Sequence, residues 1–282
     1  MKIGIVLNFN NYQQTMECAQ RLLKSGMDQI VVVDNASSNN SYRLLLDEFE
    51  SNQQVNVILS KQNCGYATGN NIGLLFAEKH FTDWKSNVIF IVNPDSSISQ
   101  KGLEQLADVT LNTPNAGAVT GLINGTNKSV WHHMTPMTSF IFNSWILKWC
   151  LIKMNHREGG FYKIAQESIQ NVDVVMGALF AIKQSTFRDI GYFDTGTFLY
   201  YEEEGLAVKL AQKHYQSLLV NNVNFEHIGR GSTTLNKVSF KKINDASRLY
   251  ILKKYYGVGK VYSNVTLMVN RIDNVILKVM KR

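Results

Sequence analysis

Residues 88–99 read VIFIVNPDSSIS, and their first five decide the fold. Val88 to Val92 form an unbroken apolar run, the pattern of a strand buried inside a sheet. Pro94 then ends the ladder, because it has no N–H to donate. Asp95 is left at the lip of the sheet, where a carboxylate is either a turn former or a ligand holder.

Upstream, the same alternation repeats. IGIVLNF (3–9), QIVVV (29–33), VNVILS (55–60) and NVIFIV (87–92) read as strands. Between them, residues 12–25, SYRLLLDEFE from Ser41, and ATGNNIGLLFAEKH (67–80) carry helical spacing. Strands alternating with helices predict βαβ units and a mostly parallel sheet flanked by helices. Ligands of such sheets sit outside the carboxyl ends of the strands. Asn8, Asp34, the glycine-rich turn at 63–73 and Asp95 all fall there.

Residues 121–171 are less regular and hold Trp131, His132, His133, Trp145 and Trp149; they are expected to form an insertion covering a site. VDVVMGALFAIK (172–183) returns to strand character. A helix is expected to start near Glu202, and the chain reads as helical from about residue 240.

The 282 residues are 45% hydrophobic, enough for one sizeable core. Cys18, Cys64 and Cys150 are widely spaced, with no CxxC, so neither a disulfide framework nor a zinc site is suggested and a reducing cytoplasm fits. The opening MKIGIVLNFNN is too short for a signal-peptide core or a membrane span, and no run of eighteen apolar residues occurs. Residues 1–229 hold 17 Lys/Arg and 20 Asp/Glu, whereas residues 230–282 hold 12 and 2. A near-neutral body thus carries a basic tail, which favours anionic membrane surfaces or nucleic acid. In that tail Val261, Val265, Met268, Ile272, Val275, Ile276 and Val279 share one helical face, with Lys260, Arg271, Lys278 and Arg282 beside it. The pattern suits an interfacial helix on anionic lipid, or equally a helix packed on the domain or on a second copy in a homodimer. No nucleic-acid recognition motif appears.

VLNFNN, VVDNASSNNS, NCGYATGNNIGL, VNPDSSIS, MGALFAIKQSTFRDIGYFDTGTFLYYEEEGLAVKL and FEHIGRGS, in this order, resemble the family 2 glycosyltransferases, especially their bacterial rhamnosyltransferase-like branch. The resemblance spans roughly residues 1–255. It implies the GT-A fold: residues 1–100 as a nucleotide-binding half, 101–240 as an acceptor-binding half, and 241–282 as a basic helical extension. It also implies a nucleotide-diphosphosugar donor, a divalent metal (Mn²⁺ or Mg²⁺), and transfer with inversion at the anomeric carbon. The implied donor is a dTDP- or UDP-sugar, with rhamnose first. The implied acceptor is a lipid-linked glycan of a bacterial surface polysaccharide, at the inner face of the cell membrane.

Each motif has a physical reading beside the one the resemblance implies. A diphosphate leaving group needs its charge neutralised by a cation held on hard oxygen ligands. Asp95 is the candidate, although Asn93 replaces the first acid of the family's commoner Asp-x-Asp. The alternative is a plain Asn-Pro-Asp turn. His227 would complete the metal site, suiting Mn²⁺ better than Mg²⁺, or is a surface histidine without a role. Arg230 could hold a phosphate or the acceptor. Asp34 would accept from a pyrimidine ring N–H, with Asn8 and Phe9 flanking the base, or else begin an Asx turn; both can hold at once. Glycines 65, 69 and 73 either let backbone approach a ligand, with Asn71 beside the nucleotide, or simply cap a helix.

An attacking hydroxyl needs a carboxylate base. In YYEEEGL, Glu203 falls at the family's base, one methylene longer than the usual Asp. Glu202 precedes it and is assigned with the acceptor. Gly205 stands where the family has a second Asp, and Lys209 where it has Arg. The acidic cluster is otherwise explained by the dipole of a helix N-terminus. Gly177 and Ala178 would leave room for the acceptor sugar, or pack strand on helix; Trp131 would stack on it, or lie in the core. Because the acidic motif departs from the family's, a non-catalytic nucleotide-sugar-binding partner of another membrane-associated transferase is the alternative function. A sugar-nucleotide pyrophosphorylase would need a basic, glycine-rich N-terminal loop, which VLNFNNYQQ lacks.

Overall fold

The computed structural model describes residues 1–163, 165–229 and 236–279, without the side chains of Lys237 and Lys278. Arg230 and Arg282 lie outside the described residues. Strand β1 (Lys2–Asn8), helix α1 (Tyr12–Lys24), β2 (Gln29–Asp34), α2 (Ser41–Phe49), β3 (Val55–Leu59), α3 (Tyr66–His80) and β4 (Val88–Val92) follow the order the sequence predicts. Four short elements come next: β5 (Ser96–Ile98), α4 (Gln100–Asn112), β6 (Ala116–Ile123), and β7 (Val130–Trp131) after a 3₁₀ turn. The expected insertion contains a helical hairpin, α5 (Pro136–Asn143) and α6 (Trp145–Lys153). The chain returns through β8 (Ile169–Val172), β9 (Val174–Val175), β10 (Leu179–Lys183) and α7 (Gln184–Asp189). It ends with α8 (Glu202–Gln212), β11 (Gln216–His227), α9 (Lys237–Tyr255) and α10 (Lys260–Val279).

The main sheet runs β3-β2-β1-β4-β10-β6-β11-β5, with β8 also on β11. Its first four strands are parallel, as expected; β10 then enters antiparallel between β4 and β6, so the whole sheet is mixed. Alternation along the strands assigns two cores. Val6, Val32, Phe90 and Val92 pack under α1, α2 and α4. Ile5, Val33, Ile89 and Ile91 pack under α3, α7 and α8.

The glycine-rich turn serves this packing. Gly65 has φ +95, and a Cβ there would stand 2.0 Å from the Phe198 carbonyl oxygen. A Cβ on Gly73 would meet Ile5 at 2.8 Å and Val33 at 3.0 Å. Gly65 is the N-cap residue of α3, as the helix-capping reading has it, whereas Gly73 lies inside the helix and lets it close on the sheet.

Helix α9 is welded to the body. Arg248 is fully buried and donates to the Phe142 carbonyl, Asn143 and Asp245. Residue 240, the expected boundary of the extension, falls inside this helix. Helix α10 is inverted: its buried side holds Ser263, Thr266, Asn270 and Asp273, while Val261, Met268 and Val279 are 79%, 63% and 66% exposed. Asp273 accepts from the Trp145 N–H and pairs with buried Lys241.

Asp194 ties α9 to the loop after α7. Its carboxylate accepts from Tyr250 (2.8 Å), Tyr255 (2.5 Å), Lys254 (2.7 Å) and the Gly196 N–H (3.0 Å). Burial acts to raise its pKa, but Lys254, Tyr255, Gly196 and Tyr250 together pull it down to about 2. A depressed carboxylate stabilises the fold above its unfolded pKa, and that contribution disappears as pH falls through the folded value. Asp194→Asn should therefore cost about 2 kcal/mol in urea unfolding at pH 7. The difference from wild type should shrink as the pH is lowered from 4 toward 2.

Candidate active site

The site forms where β4 stops. Asn93 to Ser96 make a β-turn, with Pro94 at its second position and the Ser96 N–H on the Asn93 carbonyl at 2.9 Å. Strand β5 then pairs antiparallel with the end of β11, placing Ser96 opposite His227. That register brings Asp95 Oδ1 to 3.2 Å from His227 Nε2, and the Ile228 N–H bonds the Asp95 carbonyl at 3.1 Å. Asp95 is both turn former and half of a convergent carboxylate–imidazole pair. Burial acts to raise its pKa, yet the His227 bond and charge, with backbone N–H groups, hold it below the ordinary carboxylate range. Among the described residues no third His, Cys, Asp or Glu joins the pair. A cation on these two atoms would draw its other ligands from a bound anion and water. The mixed N,O donor set fits Mn²⁺ better than Mg²⁺.

Tyr66 and Glu203 face this pair. Tyr66 opens α3, and its hydroxyl donates to the Gly177 carbonyl at 2.7 Å, with Asn93 Oδ1 3.3 Å away. Burial and the charges of Glu203, Glu202 and Asp95 hold the phenol protonated. Glu203, in the first turn of α8, accepts the Gly177 N–H at 3.2 Å. Its pKa is raised above the usual value by burial, against the pull of the Glu203 and Gly177 amides and Arg157. Glu202 is buried, its Oε2 has no hydrogen-bond partner among the described residues, and burial with the neighbouring Glu203 charge pushes it to about 8. Two carboxylates so close titrate as a pair.

On its other side Glu203 borders a cavity of about 420 Å³, lined also by Trp131, Lys128, Lys148, Arg157 and Glu158. Trp131 reaches this cavity but is largely buried against Val174 and Ala207, and the Arg157 guanidinium lies over its ring at 3.4 Å.

Several expected contacts are placed differently. Asn71 bonds Phe193 through both amide atoms, donating to its carbonyl and accepting its N–H, each at 3.0 Å, so it clamps helix to loop. The space beside Gly177 is taken by protein: a Cβ there would stand 3.0 Å from Glu203 Oε1 and 3.2 Å from the Tyr66 hydroxyl. Ala178 is buried, and its carbonyl accepts from the Asn93 N–H and the Ser96 hydroxyl. Neither residue leaves room for a sugar. Glu202 is also turned away from solvent.

Asp34 is fully buried. It accepts from Asn8 (2.6 Å), the Ser37 hydroxyl (2.7 Å) and the Ser37 N–H (2.9 Å), a local turn closed three residues on, one further than an Asx turn. Half-buried Phe9 follows Asn8 at the same rim. A base would meet this carboxylate by exchanging with the Ser37 hydroxyl.

The departures in the acidic motif have local causes. A Cβ on Gly205 would meet Ile251 of α9 at 3.2 Å, so the glycine admits that helix. Lys209 donates to the Gly191 and Tyr192 carbonyls, at 3.1 and 2.5 Å, and closes the turn after α7. Tyr66, Arg157 and Lys148 were not expected from the sequence. The YAT after Cys64-Gly65 was a signal for Tyr66; nothing marked the other two.

A model of glycosyl transferase family 2 matches residues 5–191. The low-salt glycan biosynthesis hexosyltransferase Agl10 of Haloferax volcanii is 26% identical over 199 residues, covering 71% of this chain and 58% of that protein. The N-acetylglucosaminyl-diphospho-decaprenol L-rhamnosyltransferase of Mycobacterium tuberculosis is 23% identical over 212 residues, covering 72% of this chain and 67% of that protein. The structure of GalNAc-T7 with UDP, GalNAc and Mn²⁺ superposes with a TM-score of 0.63 at 15% identity, over 91% of this chain and 49% of that one, and shows a shared fold.

Asn71→Ala should lower stability by about 1–2 kcal/mol through the two lost bonds to Phe193. Nucleotide affinity by calorimetry should stay as in wild type.

Proposed function

The chain belongs to glycosyl transferase family 2, and on that premise we propose that it is a metal-dependent, inverting glycosyltransferase using a dTDP- or UDP-sugar. The observation that carries the reading is the opposition of two groups across Gly177: the Asp95–His227 pair on one side and Glu203 on the other. Asp95 and His227 would hold Mn²⁺ or Mg²⁺, which when bound neutralises the charge of the departing diphosphate. Asn8, Phe9 and Asp34 form the rim that would take the pyrimidine. Glu203 receives the proton of the acceptor hydroxyl as that oxygen attacks the anomeric carbon and the bond to the diphosphate breaks. The Gly177 N–H fixes the carboxylate, and the raised pKa gives it a base strength closer to neutrality. Tyr66 stays protonated and holds the Gly177 peptide in place.

The acceptor is a lipid-linked glycan, first choice for rhamnosylation, met at the inner face of a bacterial cell membrane during surface polysaccharide synthesis. Support comes from the acceptor in the name of the mycobacterial relative and from the outward face of α10. Helix α6 adds Ile146, Leu147, Trp149 and Ile152 to the exposed apolar surface, and the α6 N-terminus adjoins Asp273 of α10. Neither α5 nor α6 carries an acid, and the one acid of α10, Asp273, points inward, so the charges beside this surface, Lys153, Lys260 and Arg271, are all basic. Apolar side chains rimmed by cations suit an anionic bilayer. Among the described residues no helix is long and apolar enough to cross a membrane.

Calorimetric titration with UDP and dTDP, with and without Mn²⁺, tests the donor site. Metal-dependent binding of one of them, lost in Asp95→Ala and His227→Ala, is expected; no binding by folded protein would overturn the reading. Glu203→Gln should cut transfer by roughly 10²–10⁴ with nucleotide binding retained. Unchanged glycan assembly in cells carrying Glu203→Gln would instead favour the non-catalytic partner role. The acid limb of the kcat–pH profile should lie above 4.5, since the base must be ionised and burial raises its pKa; Glu202, pushed to about 8, is neutral at that limb, so Glu202→Gln should leave it in place.

The apolar surface is tested separately. The chain should float with vesicles containing anionic lipid, and Met268→Asp with Ile272→Asp should abolish flotation. Concentration-dependent dimerisation lost in the same variant, without flotation, would assign the surface to a second copy.

A further inference from the structure

The cavity beside Glu203 is lined by three cations, Arg157, Lys148 and Lys128, and by the acids Glu158, Glu203 and Glu204, none of which bonds those cations directly among the described residues. Arg157 is half-buried, and its guanidinium lies face-on to Trp131. Among the described residues it makes no ion pair and no side-chain hydrogen bond, so the N–H groups along its edge are left for a ligand. Lys148 donates once, to Asn244 at 2.8 Å, and keeps two protons. Burial, with Arg248 nearby, pushes its pKa down to about 8. Lys128 stands exposed at the rim, with no ion pair among the described residues. The acids on the same wall are committed elsewhere. Glu204 binds His133 at 2.8 Å and accepts from Tyr256. Glu158 accepts from Tyr201 at 2.7 Å through one oxygen. A half-buried, unpaired cation is costly, and an anionic ligand offsets that cost.

We propose that this cavity binds the phosphate or diphosphate group through which the acceptor is joined to its lipid, on Arg157, Lys148 and Lys128. The proposal rests on the transferase reading and names its acceptor class. Arg157 supplies the planar fork that takes two phosphate oxygens, and its stacking on Trp131 fixes the plane of that fork. Lys148 and Lys128 add point charges. The second oxygen of Glu158, buried and without a partner, is free to accept from a hydroxyl of the sugar next to the phosphate. Exposed Ile152 of α6 lines the same cavity, which directs the lipid chain toward the apolar surface. Sugar, phosphate and lipid are thus laid out from Glu203 outward.

The test is titration of the full chain with farnesyl diphosphate and with farnesol, first in EDTA and then with UDP or dTDP saturating in the presence of Mn²⁺. Farnesyl diphosphate should bind at least tenfold more tightly than farnesol under both conditions. Arg157→Gln should weaken it at least tenfold, and Asp95→Ala should leave it unchanged. If Arg157→Gln does not fold, Lys128→Glu at the exposed rim should weaken binding in its place. Equal affinity for farnesol, loss of binding once the nucleotide site is filled, or wild-type affinity in a folded Arg157→Gln would each overturn the proposal. Arg157-dependent binding in a chain that binds neither nucleotide would leave this site standing while the transferase reading fails.

Discussion

A strand buried on both faces can carry polar chemistry only where it ends. Strand β4 is such a strand, with Phe90 under one layer of helices and Ile89 and Ile91 under the other. Its polar groups are therefore pushed to Asn93 and Asp95, and the rest of the site is arranged around that point. Antiparallel pairing of β5 with β11 sets His227 against Asp95. Strand β10, running back beside β4, delivers Gly177 and Ala178 to the same lip, where the Ala178 carbonyl holds the Asn93 N–H. Gly177 in turn positions both Glu203 and Tyr66. The carboxylate–imidazole pair, Glu203 and the phenol come from distant parts of the chain, yet all are referred to the end of one strand.

That dependence explains which residues could be read in the sequence. The first four strands announce themselves by unbroken apolar runs, and their ends place Asn8, Asp34 and Asp95 at one rim. Where a single side chain could serve two ends, a local use is present as well: Asp34 closes a local turn on Ser37, and glycines 65 and 73 let a helix sit on the sheet. Asn71 and Gly177 have local partners that the sequence does not announce, because sequence order reports which residues are near the site but not which way they face. An amide one helical position from a ligand rim can equally clamp a neighbouring loop, and a glycine can make room for a carboxylate as readily as for a sugar. Arg157 and Lys148 were illegible for a different reason. They belong to an insertion whose packing depends on α9, more than eighty residues downstream.

The acidic motif illustrates the same coupling at closer range. The absent carboxylate at Gly205 and the lysine at 209 look like erosion of a catalytic pattern when read along the chain. In three dimensions each answers to a neighbour: Gly205 leaves space for Ile251, and Lys209 closes the turn whose far side holds Asp194. Neither departure touches the carboxylate of Glu203. The motif accommodates a helix, and Glu203 keeps its place beside Gly177.

Helix α10 is held by its polar side. Ser263, Thr266, Asn270 and Asp273 face the protein, and Asn270 and Asp273 meet Lys241 there, where hydrogen-bond geometry and charge must match. The outward apolar residues need only remain apolar. Sequence drift in this helix should accordingly run opposite to the usual pattern of an amphipathic helix: valine, isoleucine, leucine and methionine exchange freely along the outer face, while the small polar residues and the single aspartate stay put.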